Sequence, residues 1–381
     1  GAQTVRADLS GSAVEGFGAS VAAFRLDATV RDALGAPTGE GVLEIDDLAA
    51  EGVAVASLAF DGRAALEGDR LGADGTLTAE SLAAAGATVA RLSAEIDGTD
   101  LAGPGSAADL ALTAQDIAYP DAEARVASLS FEGVARDLTG APEAEGVLTV
   151  EDIAAAGATV ARVTLDARGS DLIAAPSVDG VLTAETIAHP DSDSAVAMIR
   201  LEGRGSDLLG VIDAEGTLTA EGLRAAGADA DRLTAEVSGT GLAADPEATL
   251  TARIEEVAHP AAGTAWVALD AALRQQPEGA AASATLSAAP IDLADGRVGS
   301  VSAEATAVDA FGADPDIAAE IAVADLRTGG ARIDRAGLTA EGALSALALA
   351  LDARGALGED RPLSLAARAT VDAATPGVVE A

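Results

Sequence analysis

The residues of this chain whose side chains could bind a metal or transfer a proton are few. His189 and His259 are the only two histidines, each stands directly before a proline, and Tyr119 holds the equivalent place before Pro120. A histidine ligand must offer a ring nitrogen at its position, so a place that also takes tyrosine favours a turn or edge residue. These residues therefore predict neither a metal site nor histidine-based catalysis.

The remaining chemistry-bearing residues form no known catalytic or ligand-binding pattern. Asp191 and Asp193 follow one of these turns, but the glycine and the bidentate glutamate of a calcium-binding EF-hand do not follow them. The chain has no cysteine, which excludes disulfides, thiolate zinc sites and a cysteine nucleophile. It also lacks a Gly-x-Ser-x-Gly elbow and a P-loop. We therefore expect a protein that is not an enzyme and that uses no cofactor or metal.

The composition combines strong acidity with many apolar residues. The 381 residues include 62 acidic and 23 basic side chains, for a formal net charge of -39, and 49% of the residues are hydrophobic. This apolar content predicts a folded chain rather than a disordered one, and the negative charge argues against a nucleic-acid partner. Because aromatic residues make up only 2%, we expect a shallow layered structure built from Leu, Val, Ile and Ala.

A short phrase recurs along almost the whole chain. It reads GTLTAESL from Gly75, GVLTVEDI from Gly146, GVLTAETI from Gly180 and GTLTAEGL from Gly216. Its leucine recurs about every 35 residues, which indicates a repeat architecture. The leucines of the successive copies are Leu43, Leu77, Leu112, Leu148, Leu182, Leu218, Leu250 and Leu286, with Ile321 next.

A second phrase follows each copy of the first after a turn. It has the form Val-x-x-Leu/Val-x-Leu/Phe/Ala, as at Val55 to Phe60, and it often closes with Gly-x-Asp-Leu, as at Gly98 to Leu101. The turns between the phrases alternate between an Ala-Ala-Gly form and an aromatic-Pro form, 70 or 71 residues apart for like turns. The 35-residue units therefore occur as pairs.

The repeats could form helices or strands, and three features favour strands. Apolar and polar residues alternate strictly in ARLSAEID (Ala90 to Asp97), which is typical of a strand with one buried face. Glycines stand in the middle of each unit, where they would destabilise a helix, and they give turn signals every 8 to 12 residues, which predicts successive short strands. The Val-x-x-Leu offset predicts a bulge or bend in the second phrase. An α-solenoid scaffold remains a third alternative.

Strands of this pattern have one apolar and one acidic face. The apolar face must be covered or must bind something. It could close on itself as a sandwich or β-solenoid, or curl into a groove that holds an apolar ligand, and the alternation is compatible with all three.

The motifs G-x-L-x-x-x-x-L, V-x-x-L-x-L and G-x-D-L, spread from about Gly41 to Leu351, resemble the repeat region of the TamB and AsmA-like proteins (translocation and assembly module) of diderm bacteria. The resemblance implies an all-β, elongated and repetitive β-groove, taco-like, with an apolar lining. It also implies phospholipid transport to the outer membrane, or support of outer-membrane protein assembly and secretion. In this interpretation residues 41–351 form the tandem array, and residues 1–40 and 352–381 are flanks.

The resemblance further implies a periplasmic location, with an inner-membrane anchor and an outer-membrane assembly partner that involve regions outside this chain. Phospholipid is the expected ligand. The rival hypothesis is a structural or adhesive surface β-repeat protein with a closed core. In the groove interpretation the lining residues are Leu77, Leu92, Ile96, Leu112, Leu129, Phe131, Leu148, Val163, Leu165, Leu182, Ile199, Leu201, Leu218, Leu233 and Val237.

Overall fold

The computed structural model describes residues 3–16, 18–277, 279–358, 361–371 and 379–380, and these residues are all-β. Besides strands they contain only three single-turn 3₁₀ helices. None of the helices in this described part is long and apolar enough to cross a membrane. The chain divides into two compact units, Gly1–Asp191 (unit 1) and Ser192–Ala381 (unit 2).

Unit 1 is an antiparallel meander in which each strand pairs with the next strand along the chain. Its strands are β1 (Thr4–Gly16), β2 (Ala19–Arg31), β3 (Thr38–Ala50), β4 (Val53–Glu67), β5 (Arg70–Ala84), β6 (Ala87–Thr99), β7 (Ala107–Tyr119), β8 (Ala124–Arg136), β9 (Glu143–Ala155), β10 (Ala158–Ser170) and β11 (Ser177–His189).

Unit 2 repeats this arrangement with one interruption, because β17 pairs with β20 and the short hairpin β18–β19 lies beside them. Its strands are β12 (Ser194–Ser206), β13 (Asp213–Ala225), β14 (Ala228–Thr240), β15 (Glu247–His259), β16 (Ala262–Gln276), β17 (Gly279–Ala288), β18 (Ile291–Leu293), β19 (Gly296–Val298), β20 (Ser300–Val308), β21 (Asp316–Thr328), β22 (Ala331–Ala343), β23 (Leu347–Leu357), β24 (Arg361–Val371) and β25 (Val379–Glu380).

The 35-residue repeat is a hairpin of two strands, one for each phrase, so the prediction of strands is confirmed. The strands are longer than the turn signals indicated, since most have 13 residues. Gly86, Gly157 and Gly227 do lie in turns, with φ between +77° and +80°. The glycine that opens the first phrase, as at Gly75 and Gly146, lies inside a strand instead.

The recurring leucines stand opposite one another across the strands and form what we call the leucine row. In unit 1 this row consists of Leu9, Leu26, Leu43, Phe60, Leu77, Ala94, Leu112, Phe131, Leu148, Leu165 and Leu182. In unit 2, Leu218, Leu286 and Ile321 hold the equivalent places, but Leu250 lies two residues away along β15 and Ala252 takes its place. Leu250 is not equally far along the sequence from Leu218 and Leu286, whereas Ala252 is, so the spacing of the row becomes even.

A row of residues with left-handed backbone crosses the first-phrase strands. The sequence predicts a bulge or bend in the second-phrase strands instead. In unit 1 it includes Asp47, Ser81, Asp116, Asp152 and Thr186, with φ from +49° to +52°. The strand pairing keeps the same count on both sides of this row, as for Gln115↔Ser128 and Ile117↔Val126, so no residue is inserted. Among the described residues of unit 1 the predicted second-phrase bulge is therefore not found, and the unusual backbone lies on the first-phrase strands. In unit 2 the second-phrase strand β22 does shift its register against β23, between Ile333 and Arg335. Short polar residues such as aspartate tolerate the left-handed conformation of the row.

The closing Gly-x-Asp-Leu motif builds loops that stack along one edge of each unit. Asp207 has φ of +51°, its carboxylate accepts a hydrogen bond from the Val211 N–H at 2.9 Å, and its carbonyl accepts one from Gly210. Several of these loops also donate a backbone hydrogen bond to the preceding loop, as from Leu172 N–H to Pro142 O at 3.1 Å and from Leu242 N–H to Ile212 O at 3.0 Å. The loops therefore extend the strand ladder beyond the sheet.

Candidate functional site

The candidate site is a surface that we call the apolar face, made of the leucine row and the two rows beside it that point the same way. Paired residues and residues two apart along a strand share a face of a sheet. In unit 1 one flanking row is Gly11, Phe24, Ile45, Leu58, Ala79, Leu92, Ala114, Leu129, Val150, Val163 and Ala184. The other is Ala7, Ala28, Gly41, Gly62, Gly75, Ile96, Leu110, Gly133, Gly146, Ala167 and Gly180.

All fifteen residues that the sequence predicts as lining lie on the apolar face of their own unit. In unit 1 the strand pairing brings together Leu77, Leu92, Ile96, Leu112, Leu129, Phe131, Leu148, Val163, Leu165 and Leu182. In unit 2 it brings together Ile199, Leu201, Leu218, Leu233 and Val237. That these residues contact lipid remains a prediction.

The apolar face is exposed to solvent to an unusual degree for such a surface. None of the fifteen residues is buried, and Ile96, Leu201 and Val237 are 45%, 44% and 51% exposed. Full burial is reached only by small residues between longer neighbours: Ala79, which is 4% exposed, lies between Leu58 and Leu92. The side chains of this face therefore contact their neighbours within the sheet, and their outer surfaces remain exposed to solvent.

Among the described residues, no second layer covers the apolar face within either unit. Only nine hydrophobic residues of this part of the chain are buried, and seven of them are alanines, whereas a facing sheet about 10 Å away would bury the longer side chains as well. The chain exposes 22661 Å², whereas two compact units that share its mass would together expose about 16,000 Å². The described residues of each unit therefore form no closed sandwich core, and the strand pairings within these residues are antiparallel, unlike those of a parallel β-solenoid.

The apolar face of unit 2 contains a depression of about 480 Å³. Many of its lining side chains are small, because alanines from the four neighbouring strands β15, β16, β17 and β20 contribute to it. Larger aliphatic residues stand between them, including Val237, Leu250, Leu273 and Ile317. The volume falls within the range of about 300 to 1,000 Å³ that is typical of ligand pockets. The chemistry of the lining suits a hydrocarbon.

The opposite face carries the charge. Cross-strand ion pairs recur on it, as between Arg162 and Glu151 at 2.8 Å and between Arg232 and Glu221 at 2.9 Å. The hydrogen bond from Arg162, with a second from Ser128, holds the pKa of Glu151 below its usual value. A hydroxyl row crosses seven consecutive strands between the charged rows: Thr78, Ser93, Thr113, Ser130, Thr149, Thr164 and Thr183.

Two further features lie on this charged face. The Arg253 guanidinium stacks over the Trp266 ring, 4.9 Å from its centroid, so this tryptophan belongs to the charged face. Unit 1 has a depression of about 830 Å³ lined by carboxylates and by Arg63. Its acidic residues are Asp61, Asp74, Glu95, Asp97, Asp109 and Glu132.

The histidines and Tyr119 lie where the sequence placed them, each as the last residue of a strand before a turn. The Ala-Ala-Gly turn leaves room for the aromatic-Pro turn: the space beside Gly157 is occupied by His189 and Asp191. Tyr119 and Asp121 lie beside Gly86 in the same way, whereas nothing lies within 4 Å of the corresponding position at Gly227. In the described part of the chain, no group of three or more His, Asp or Glu residues is arranged to hold a metal ion.

The sequence did not predict how the strand glycines are used. Gly133 and Gly146 stand opposite each other, and the Phe131 ring covers the place where either would carry a Cβ. Phe60 covers Gly62 and Gly75 in the same way. The signal was present, because in both second phrases the phenylalanine stands two residues before a glycine.

Comparison of the chain with family models, with curated proteins and with solved structures found no match. The resemblance to the TamB and AsmA-like repeat region therefore stays a prediction from the motifs.

Proposed function

We propose that the apolar face binds the acyl chains of phospholipid, and that the chain is a non-enzymatic segment of a periplasmic protein that carries lipid between the inner and outer membranes or supports outer-membrane protein assembly. The observation that carries this proposal is the uncovered apolar face, on which Ile96, Leu201 and Val237 are about half exposed. An exposed apolar surface of this extent on a folded chain indicates a binding surface.

The energetics of lipid transfer suit such a surface. Each methylene that leaves hydrocarbon for water costs about 0.8 kcal/mol, so a diacyl chain of roughly 30 methylenes costs on the order of 20 kcal/mol. Rows of Leu, Val and Ile remove much of this cost along their whole length. Because these side chains have no polar atoms, they offer no fixed anchor, and a bound chain can slide from one strand to the next.

In the proposed function the charged face opposes aggregation of the protein. With a formal net charge of -39, like charges on neighbouring molecules repel, and this repulsion opposes aggregation through the apolar faces. The rival hypothesis of a structural stalk relied on a closed core. The described residues of neither unit supply one, so we favour the lipid-binding function.

Photo-crosslinking to phospholipid tests the proposal. A photoreactive residue at Leu92 or Leu165 on the apolar face should crosslink phospholipid in cells, because both side chains lie beside the expected acyl chain. The matched controls are Glu95 and Asp166, which are exposed on the opposite face of the same strands. The proposal fails if the four positions crosslink lipid equally, or if none does.

A further inference from the structure

The depression of about 480 Å³ in unit 2 has a floor of alanines and walls of larger aliphatic residues. The floor lies in two rows on the loop side of the leucine row and consists of Ala271, Ala282, Ala284, Ala305 and Ala307. Leu250 stands opposite the first of these alanines on β15, and Ile317 stands opposite the last on β21. None of the residues that line this depression is charged, although 22% of the chain is.

In other hairpins of the chain a loop leucine covers the corresponding place. The leucine of the Gly-x-Asp-Leu motif folds back over its glycine: a Cβ on Gly98 would come within 2.6 Å of Leu101, and one on Gly205 within 3.0 Å of Leu208. Gly98 follows Ile96 by two residues and therefore lies on the same face of β6. These leucines thus cover the loop end of the apolar face.

The copy of this motif at the depression has lost both its glycine and its leucine. The sequence there is AVDA (Ala307 to Ala310). Its aspartate, Asp309, keeps the left-handed backbone of the motif, with φ of +54° against +50° at Asp100. The Ala310 N–H also donates to the Ala280 carbonyl of the preceding hairpin at 2.8 Å. The loop is therefore built as in the other copies, but a methyl group replaces the side chain that would cover the face.

The volume of the depression suits one acyl chain. A methylene group is similar in size to a water molecule, whose share of liquid volume is about 30 Å³, so the depression accommodates roughly 16 methylenes. A diacyl lipid has roughly 30 methylenes and can place only one of its two chains there. The uncharged, largely apolar lining favours hydrocarbon over a peptide segment, because the peptide's backbone groups would lose their hydrogen bonds to water.

We propose that this depression is a resting site for a single acyl chain of about 16 carbons, and that the site exists because the motif at Ala307 to Ala310 lacks its loop leucine. The inference rests on the proposed function, since it requires that the apolar face takes acyl chains. Elsewhere on the face a chain slides over exposed rows. In the depression it contacts the alanine floor and the flanking Leu250 and Ile317, so it dissociates more slowly from this place.

Photo-crosslinking of the full chain to a single-chain phosphatidylcholine tests this site. The probe has about 16 carbons and a diazirine at the end of its acyl chain, and mass spectrometry identifies the crosslinked peptides. With the wild type, crosslinks should concentrate in the peptides of the depression. Ala307→Gly combined with Ala310→Leu restores the motif that the chain folds elsewhere. It should reduce these crosslinks at least about tenfold, because the new leucine displaces roughly four methylenes of the bound chain.

Two further variants separate filling of the depression from other effects. Ala305→Leu adds a side chain to an exposed part of the floor and should reduce the crosslinks in the same way. Ala33→Leu places a leucine after Asp32 in the corresponding loop of unit 1 and should crosslink like the wild type, and circular dichroism should show unchanged β-structure in all variants. Crosslinks spread evenly over the apolar faces, or left unchanged by both filling variants, would overturn the resting site but not lipid binding. A complete absence of crosslinks would overturn both.

Discussion

The paired glycines inside the strands of unit 1 are explained by the aromatic rings that lie on them. Phe131 lies over Gly133 and Gly146, and a Cβ on Gly146 would come within 2.8 Å both of the ring and of the Glu132 carbonyl oxygen. Glycine in a strand interior is unfavourable by itself, so a ring packed onto the bare backbone restores buried area. Sequence alone could identify this only from the recurring Phe-x-Gly spacing.

Gly146→Ala should therefore destabilise the protein by about 1 to 3 kcal/mol, the usual cost of overpacking a site with no free space. Urea denaturation measures the effect. Gly39→Ala is the matched control, because the nearest atom to an added Cβ there is 3.9 Å away, and its stability should stay the same or rise. Equal losses for the two variants would contradict this explanation.

Left-handed backbone at Thr186 gives a second residue-scale prediction. Thr186 has φ of +51° in a row whose other members in unit 1 are mostly aspartate, and a β-branched side chain is poorly suited to this conformation. Thr186→Asn should stabilise the protein by about 0.5 to 1 kcal/mol, since asparagine tolerates left-handed backbone.

The control for this prediction is Thr183→Asn on the same strand, where the backbone is extended. It should lower the melting temperature because asparagine is a poor strand former. The two variants should therefore shift the melting temperature in opposite directions. A decrease for both would mean that strain at Thr186 is not significant.

Among the elements, the loops at the edge of unit 1 are joined by one buried side chain. Ser106 is 1% exposed; its Oγ accepts a hydrogen bond from the Leu138 N–H at 2.7 Å, and its carbonyl accepts one from Asp137. The neighbouring Thr139 hydroxyl joins the same two loops by donating to the Gly103 carbonyl, but it is exposed. Ser106 and Thr139 thus each make a hydrogen bond between the same two loops, but only Ser106 is buried, so comparing the two residues measures the effect of burial.

Ser106→Ala should cost about 1 to 3 kcal/mol, because the Leu138 N–H loses its partner where water has little access. Thr139→Ala should cost much less, since water can replace an exposed hydroxyl. Thermal unfolding of the two variants measures the difference. Similar effects would show that the buried contact is not what holds these loops together.

The strands themselves could be predicted from sequence because alternation and phrase spacing depend on local residue order. ARLSAEID specified a strand face directly, and all fifteen lining residues fall on the apolar face for the same reason. Strand length could not be predicted, because Gly75 and Gly146 signal turns by residue type yet lie within strands under phenylalanine rings. The left-handed row of the first-phrase strands could not be located from sequence, because an odd apolar offset is present in both phrases and does not reveal which strand changes its backbone.

For the whole molecule, the two faces explain how a charge of -39 and a mean hydropathy of +0.28 coexist in one chain. Carboxylates, arginines and hydroxyls occupy one face of each unit, and aliphatic residues occupy the other. Because aromatic residues are scarce, few large side chains project from the apolar face. Its alanines leave room for a ligand, as in the depression of about 480 Å³ in unit 2. In the function that we propose, this face binds the acyl chains of phospholipid.

The most direct test is the binding of a phospholipid with a fluorescent acyl chain to the purified protein, compared between Leu148→Glu and Val147→Glu. Leu148 lies on the apolar face of β9, and Val147, 40% exposed, lies on the charged face one residue away. Leu148→Glu should weaken binding by about tenfold or more, because a carboxylate loses its hydration beside hydrocarbon, whereas Val147→Glu should bind like the wild type. Equal binding by both variants, or no binding by the wild-type chain, would contradict the account.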